Sequence, residues 1–224
     1  MQIFNYRPPS IPWLDLRYVD RDIIVINKPS GLLSNPGIAS YTHDCALTRL
    51  QTLFNDTILV HRLDCATSGI MVFARNKKAE SHLKTQFQNR QTEKTYIAVI
   101  HGILEQQTGE INQAITPDRD TPPKQKIAIQ GEGKSATTFY RTLARGHNAT
   151  LVELTPITGR THQLRVHMLA IGHPILGDDF YGNENIENAA SRLQLHAQSL
   201  TFNHPYTKKK LTFYSRHSFN LNRE

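Results

Sequence analysis

Short strand-like runs fill the second half of this sequence, and they restrict the folds it can adopt more than any other feature. They combine apolar side chains with strand-favouring residues such as Val, Ile, Thr, Tyr and Phe, and turn residues separate them. We therefore expect a mostly antiparallel set of strands in this half. The predicted strands are Tyr96–Ile100, Lys126–Ile129, Thr137–Leu143, Leu151–Thr155, Leu195–Phe202 and Leu211–Tyr214.

The rest of the sequence adds helices and further strands. Asp44 is predicted to cap a short amphipathic helix. Periodic apolar residues predict longer helices over Lys77–Asn89 and over Thr161–Ile171, the second ended by Gly172. Together these elements predict an α+β domain with an extended mixed, mostly antiparallel sheet flanked by helices. The further predicted strands are Trp13–Val19, Ile23–Asn27 and Ile70–Ala74.

The charge balance and several sequence signals limit the class of protein. Lys and Arg number 26 against 19 Asp and Glu, and the net charge of +7 suits a polyanionic partner such as nucleic acid or an anionic membrane surface. Apolar runs such as Ile23–Ile26 are far shorter than the roughly 18 residues of a transmembrane helix, and the first residues do not resemble a signal peptide. Cys45 and Cys65 make neither a disulfide framework nor a zinc site. A cytoplasmic protein of one large domain, or two small ones, is expected.

Three weaker patterns do not assign a function by themselves. Gly133–Ser135 resembles the end of a phosphate-binding P-loop, but Ala128 stands where that motif requires glycine. His162 and His167 would lie about 140° apart on one helix, so they could not chelate a metal together and no metal site is expected. The basic run Lys208–Lys210 fits a solvated face or a phosphate contact about equally well.

Three segments place reactive or charged side chains at defined positions. Segment His61–Gly69 is predicted to be a loop between two short apolar strands. Asp64 lies there among small residues and near an arginine, where it could act as a nucleophile or base, or could close an Asx-turn or cap a helix. Tyr96 opens a strand and could stack on a ligand or fill the core. The third segment begins a helix with Arg160 and Arg165 about 140° apart, so one could enter a cleft, although two surface arginines are the alternative.

Taken together, these segments resemble the motifs of the RluA family of pseudouridine synthases. The resemblance covers about Trp13–Tyr214 and implies that family's fold, a pseudouridine-synthase-type domain with a central catalytic cleft. Three prolines predict that residues 1–12 form an extended N-terminal arm. The catalytic domain is expected over 13–214 and a C-terminal tail over 215–224. No S4-like RNA-binding domain, which some relatives carry, is expected before the first motif. The motifs are Asn27–Gly31, His61–Asp64 with Thr67–Gly69, Tyr96, Gly159–His167 and Gly172–Asp178.

The resemblance implies an isomerase that breaks the glycosidic bond of a uridine, turns the uracil and rejoins it to the same ribose through carbon. The compact length and the proline-rich start are similar to the dual-specificity branch, which modifies 23S ribosomal RNA and the anticodon stem-loop of tRNA. No cofactor is expected, because nothing is oxidised and no group enters from outside. The expected partner is RNA, with no membrane or DNA, and the protein is expected to be a monomer in the cytoplasm.

The same resemblance gives roles to individual residues. Asp64 would be the catalytic carboxylate, kept ionised by Arg165, and Tyr96 would stack on the uracil. Arg62 would enter the base stack that the flipped uridine leaves. The pocket would include Leu154, Thr67 and Lys28, the last with a mostly structural role, and the expected RNA contacts are Arg62, His61, Arg160, Lys124, Lys126, Lys208, Lys209 and Lys210.

Two other functions stay open from the sequence. One is a catalytically inactive RNA-binding or ribosome-assembly protein on the same fold. The other is an RNA hydrolase that uses Asp64 with His61. The step taken by Asp64 is also open, since the carboxylate could add to the base, add to the ribose carbon or remove a ribose proton.

Overall fold

The computed structural model describes residues 6–221, so residues 1–5 of the predicted arm and 222–224 of the predicted tail lie outside it. The chain forms two compact units. Within the described residues, the first unit comprises residues 6–94 with Ala197–Arg216, and the second comprises Thr95–His196 with residues 217–221.

Strands outnumber helices throughout. The strands are β1 (Leu16–Val19), β2 (Ile23–Lys28), β3 (Ile58–Leu59), β4 (Ser68–Ala74), β5 (Glu93–His101), β6 (Thr108–Asn112), β7 (Ile115–Pro117), β8 (Gln125–Ile127), β9 (Thr137–Arg145), β10 (Ala149–Pro156), β11 (Leu195–Asn203) and β12 (Lys210–Tyr214). The α-helices are α1 (Ala46–Leu53), α2 (Lys77–Gln88), α3 (Gln163–Ala170) and α4 (Glu184–Asn188).

In the first unit, β2 pairs with β1 on one side and with β4 on the other, and β3 also pairs with β4, all antiparallel. Every residue of β4 is buried, as expected for an apolar strand covered on both faces. Ala79 and Leu83 of α2 pack on this sheet with Phe202 of β11. Burial of a large apolar side chain such as Leu83 or Phe202 contributes about 1.5–3 kcal/mol. This core therefore stabilises the strands on either side of the loop that follows β3.

In the second unit, the antiparallel strand order is β5–β10–β9–β6, and β7 and β8 form a separate hairpin. Helix α3 begins at Gln163, two residues later than the sequence predicts. His162 holds a left-handed backbone conformation with φ of 54°, which a helix cannot include. Gly172, with φ of 84°, follows the helix end, as predicted.

The expected α+β class is confirmed, and most predicted strands form with ends shifted by a few residues. The prediction that Asp44 caps α1 is wrong. Cys45 is the cap, in a reciprocal pair of bonds with Thr48, while the Asp44 carboxylate binds the Arg49 guanidinium at 2.6 and 2.8 Å. A two-point charge-assisted contact is stronger than a single bond to a backbone amide, which explains the exchange of roles.

Strands β6 and β7 and helix α4 were not predicted, because they are short and carry little periodicity. Among residues 6–221, no helix has the length and apolar character that crossing a membrane requires. The single catalytic domain over 13–214 stays a prediction.

Candidate active site

Asp64 lies in the loop between β3 and β4, as the sequence predicts, and hydrogen bonds fix the loop's backbone. The Ser34 hydroxyl donates to the Leu63 carbonyl at 2.6 Å and accepts the Leu63 N–H at 3.0 Å. The Asp64 carbonyl accepts the Thr67 N–H at 3.1 Å. The residues on either side of the carboxylate are therefore held in place, and Asp64 itself is half-buried.

Segment 28–31 holds the other side of the same loop. The Cys65 carbonyl accepts from Lys28 Nζ at 3.1 Å and from the Gly31 N–H at 2.9 Å. The Ser30 hydroxyl donates to the Ala66 carbonyl at 2.6 Å. The first and second sequence motifs thus lie together, and residues 28–34 support the loop that carries Asp64.

Lys28 is fully buried and joins segment 28–34 to the loop that carries Asp64. Besides Cys65, its ammonium donates to the carbonyls of Pro29 at 3.0 Å and Leu32 at 2.6 Å. Carbonyl dipoles offset part of the cost of burying the charge. The arrangement supports the mostly structural role expected for Lys28.

Thr67 is also buried, and its hydroxyl oxygen has no hydrogen-bond partner within the described part of the chain. Its predicted place in the substrate pocket stays a prediction.

His61, at the start of the loop, is held as a neutral ring. It stacks on Phe87 of α2 with ring centroids 4.4 Å apart, and its Nε2 accepts the Val72 N–H at 3.1 Å. Burial, with a smaller contribution from the charge of Lys94, lowers the pKa of His61 to about 3. This geometry favours a structural role, while the predicted RNA contact stays a prediction. It also weakens the RNA hydrolase hypothesis, because a base that uses Nε2 would have to break the bond to Val72.

The histidine should make stability depend on pH. The pKa of His61 is about 3 when folded and about 6.5 when unfolded, so between these values the unfolded chain binds a proton that the folded chain excludes. The contribution of His61 to the free energy of unfolding is therefore fully present above about pH 6.5 and falls as the pH drops below that value. From pH 7.5 to pH 5 we expect a loss of about 1–2 kcal/mol from this residue, allowing for partial solvent screening.

Urea unfolding at both pH values measures this loss. His61→Gln keeps an acceptor for the Val72 N–H but does not titrate. Between pH 7.5 and pH 5, the free energy of unfolding of this variant should therefore fall less than that of the wild type. The exposed His43 provides a control, and His43→Gln should follow the wild-type curve. An equal loss of stability between these pH values in wild type and His61→Gln would contradict the assignment of this loss to His61.

In the second unit, Tyr96 and α3 lie on the same face of the sheet. Tyr96 is paired in register with Leu154, which is paired with Tyr140, and cross-strand partners share a face. Thr138, two residues before Tyr140, is on that face too. Its hydroxyl lies 2.9 Å from Nδ1 of His167 in α3. The half-buried Tyr96 and the fully buried Leu154 therefore border the side covered by this helix.

Arg165 of α3 is held rigidly by acidic residues of its own unit. Its Nε and Nη2 donate to the two carboxylate oxygens of Asp178 at 2.8 and 2.6 Å, and Nη2 also donates to Asp179 at 3.0 Å. The guanidinium lies over the rings of Phe180 and Tyr181, 4.8 and 5.2 Å from their centroids. A two-point contact plus ring stacking fixes both the position and the plane of the cation.

Sequence reasoning missed Asp178 as the partner of Arg165. Asp178 is fully buried, and one of its oxygens also accepts the N–H groups of Phe180 and Tyr181 at 2.9 and 3.0 Å. The signal was available, since the Gly177-Asp178 pair ends the last matching motif. A Cβ at Gly177 would lie 2.2 Å from the Arg192 carbonyl oxygen, so only glycine fits before this aspartate.

The predicted RNA contacts of the first unit are surface groups. Arg62 is exposed, and so is the run Lys208–Lys210. The first ammonium of that run donates to the Pro205 carbonyl at 2.6 Å, and the last pairs with Glu93 at 2.6 Å. Exposed ion pairs are worth about 0–1 kcal/mol, so a phosphate could replace Glu93 as the partner of the last lysine.

The predicted contacts of the second unit lie in and near the β7–β8 hairpin. Lys126 is exposed and pairs with Asp118 at 3.0 Å, while Lys124 is half-buried in the connecting turn. The Nε of Arg160 donates to the Ser135 carbonyl at 3.1 Å. All of these RNA contacts stay predictions.

One further cluster has the composition of a metal site. Ligand atoms of Asp20, Asp22 and His204 lie within 4.8 Å of one another. His204 Nε2 lies 2.8 Å from Asp20, and its Nδ1 accepts the N–H groups of Tyr206 and Thr207 at 3.2 and 3.0 Å. Since these nitrogens are engaged, the cluster is a hydrogen-bonded tie between the β1–β2 turn and the turn before β12.

Comparisons with known proteins agree with the sequence motifs. A family model for RNA pseudouridylate synthase matches residues 22–170. The dual-specificity RNA pseudouridine synthase RluA of Haemophilus ducreyi is 48% identical over 98% of this chain and 100% of its own length. The RluA of Yersinia pestis is 52% identical over 84% of this chain and 91% of its own length.

Solved structures show the same fold. Human RNA pseudouridylate synthase domain containing 1 has a TM-score of 0.80 and 29% identity, covering 96% of this chain and 87% of its own. Human RNA pseudouridylate synthase domain containing 4 has a TM-score of 0.71 and 28% identity, covering 90% of this chain and 88% of its own. The predicted family resemblance and fold class are confirmed.

Proposed function

This chain belongs to the RNA pseudouridylate synthase family, and on that basis we propose that it isomerises specific uridines to pseudouridine in both 23S ribosomal RNA and the tRNA anticodon stem-loop. The dual specificity is supported by relatives named as dual-specificity enzymes that match nearly the full length of the chain. The structural observation that carries the proposal is the loop around Asp64. Residues 28–34 hold the backbone of this loop on both sides of Asp64.

A fixed carboxylate suits this reaction. The N1–C1′ bond of the uridine breaks, a C5–C1′ bond forms, the proton leaves C5 and N1 is protonated, so atoms and electrons balance within the substrate. We propose that Asp64 drives these steps and that Tyr96 stacks on the uracil while it turns. Preorganised groups act without reorganising when charge develops, which is what the bonded loop provides for Asp64.

Arg165 and Arg62 have different proposed roles. Arg165 would be the cationic partner of the catalytic carboxylate, and the clamp by Asp178 keeps its guanidinium in one orientation. The exposed Arg62 would occupy the gap in the base stack and offset the few kcal/mol that flipping a base costs. Leu154 and Thr67 would line the pocket.

The remaining expectations belong to the same proposal. The enzyme would act as a cytoplasmic monomer, on RNA and not on DNA, with residues 13–214 as the catalytic domain. An inactive RNA-binding protein is not favoured, because relatives 46–52% identical are named as synthases.

Pseudouridine maps of ribosomal and transfer RNA from cells with and without this gene test the dual specificity. We expect loss of pseudouridine at a site in 23S ribosomal RNA and in the anticodon stem-loop of tRNA, restored by the wild-type gene. Loss in only one class of RNA would refute dual specificity but not synthase activity. Identical maps would refute both.

A further inference from the structure

Lys94, at the second position of β5, carries an ammonium that no acidic group in the described part of the chain neutralises. Its side chain is half-buried, and within residues 6–221 no hydrogen bond or ion pair engages it. Burial and the nearby charge of Arg90 lower the pKa of Lys94 to about 8. A partly buried cation without a partner is costly, so folds seldom keep one without a ligand.

The neighbouring acidic residue does not serve Lys94. Successive side chains of a strand point to opposite faces, so Glu93 and Lys94 diverge. The Glu93 carboxylate pairs instead with Lys210 at 2.6 Å. The Glu93 carboxylate and the Lys94 ammonium therefore lie on opposite faces of β5.

The turn before β5 brings a second cation to this place. Arg90 is exposed and has a left-handed backbone with φ of 58°, an uncommon conformation for a residue other than glycine. Its N–H bonds to the Phe87 carbonyl at 3.3 Å. Phe87 in turn stacks on His61, the first residue of the Asp64 loop, and the charge of Lys94 reaches that histidine. The two cations thus lie beside the loop that carries Asp64.

We propose that Lys94, assisted by Arg90, binds a phosphate of the substrate RNA beside the Asp64 loop. The inference rests on the proposed function, because the ligand is taken to be the RNA whose uridine is isomerised. A lysine ammonium is a compact donor suited to a phosphate oxygen, and a phosphate supplies the negative charge that the surrounding side chains do not. An RNA phosphate also fits a protein with a net charge of +7.

Salt dependence of binding tests the proposal. The probe is a fluorescently labelled synthetic anticodon stem-loop RNA, titrated by anisotropy over a range of KCl concentrations. Each lost phosphate contact reduces the slope of log K against log salt by about 0.7–0.9. We expect Lys94→Met to reduce the slope by that amount and to weaken binding about tenfold, while kcat at saturating RNA stays within about twofold. Lys94→Arg, which keeps the charge, should retain the wild-type slope.

Lys78→Met is the matched control, because Lys78 is an exposed lysine of the nearby helix α2 and its loss should leave the slope unchanged. If Lys94→Met does not fold, Arg90→Ala replaces it, since Arg90 is exposed and its removal should also lower the slope. An unchanged slope in the folded variant would overturn the site. A reduced slope in a protein that forms no pseudouridine would instead refute the proposed function and leave the phosphate site standing.

Discussion

Replacing Asp64 by asparagine is expected to abolish pseudouridine formation, with a loss of about 10⁴-fold or more in kcat, as for other single catalytic groups. The amide keeps the size of the carboxylate but can neither act as a nucleophile nor accept a proton. Ser34, Lys28 and Ser30 hold the loop through bonds to its backbone carbonyls, and these bonds do not involve the group that is replaced, so the fold should persist. Single-turnover assays with stem-loop RNA measure the loss.

RNA affinity should change far less than activity, by about twofold, because phosphate contacts supply most of the binding. Asp56→Asn is the matched control, since Asp56 is an aspartate of the same unit whose side chain is 41% exposed and pairs with Arg75 at the surface. It should retain full activity. Substantial pseudouridine formation by Asp64→Asn would contradict the role of this residue.

Replacing Arg165 by methionine is expected to destabilise the protein by about 3–5 kcal/mol, because it leaves the buried carboxylate of Asp178 without its counter-charge. The side chains of Arg165 and Asp178 are 3% and 1% exposed. The two N–H groups that remain on Asp178 cannot replace a two-point cation. Asp178→Asn should cost less, since the Arg165 guanidinium keeps Asp179.

Urea unfolding of the single and double variants checks this pair. Arg165→Met combined with Asp178→Leu should recover a large part of the lost stability, because no buried charge then lacks a partner. Arg141→Met gives the control, since its pair with Glu153 is exposed and worth less than about 1 kcal/mol. A cost below 1 kcal/mol for Arg165→Met would contradict the role of the buried pair.

The sequence predicted the Asp64 loop but not what supports it. Strands on both sides of residues 61–67 were visible from their apolar runs, and the position of Asp64 between them followed. Lys28 bonds to Cys65, which is 37 positions later in the sequence, and Ser34 bonds to Leu63, which is 29 positions later. Neither hydrophobic periodicity nor local propensity carries information about such non-local polar contacts.

Local competition between polar groups explains the other differences. Asp44 had the composition of a helix cap, yet the guanidinium of Arg49 engages it and Cys45 takes its place. Arg165 was identified from its motif as a cation of the site, whereas its clamp by Asp178 depends on a turn that follows the helix. In each case the residue type was informative, and tertiary geometry decided the partner.

Release of tritium from RNA labelled at carbon five of uridine tests the central claim most directly, because the new bond to ribose must displace the hydrogen at that carbon. The purified chain, with no added cofactor, should release tritium from both a 23S ribosomal RNA fragment and a tRNA anticodon stem-loop, up to one equivalent per target uridine. Tight binding of both RNAs with no tritium released would contradict the account and identify the protein as a binder without catalytic activity.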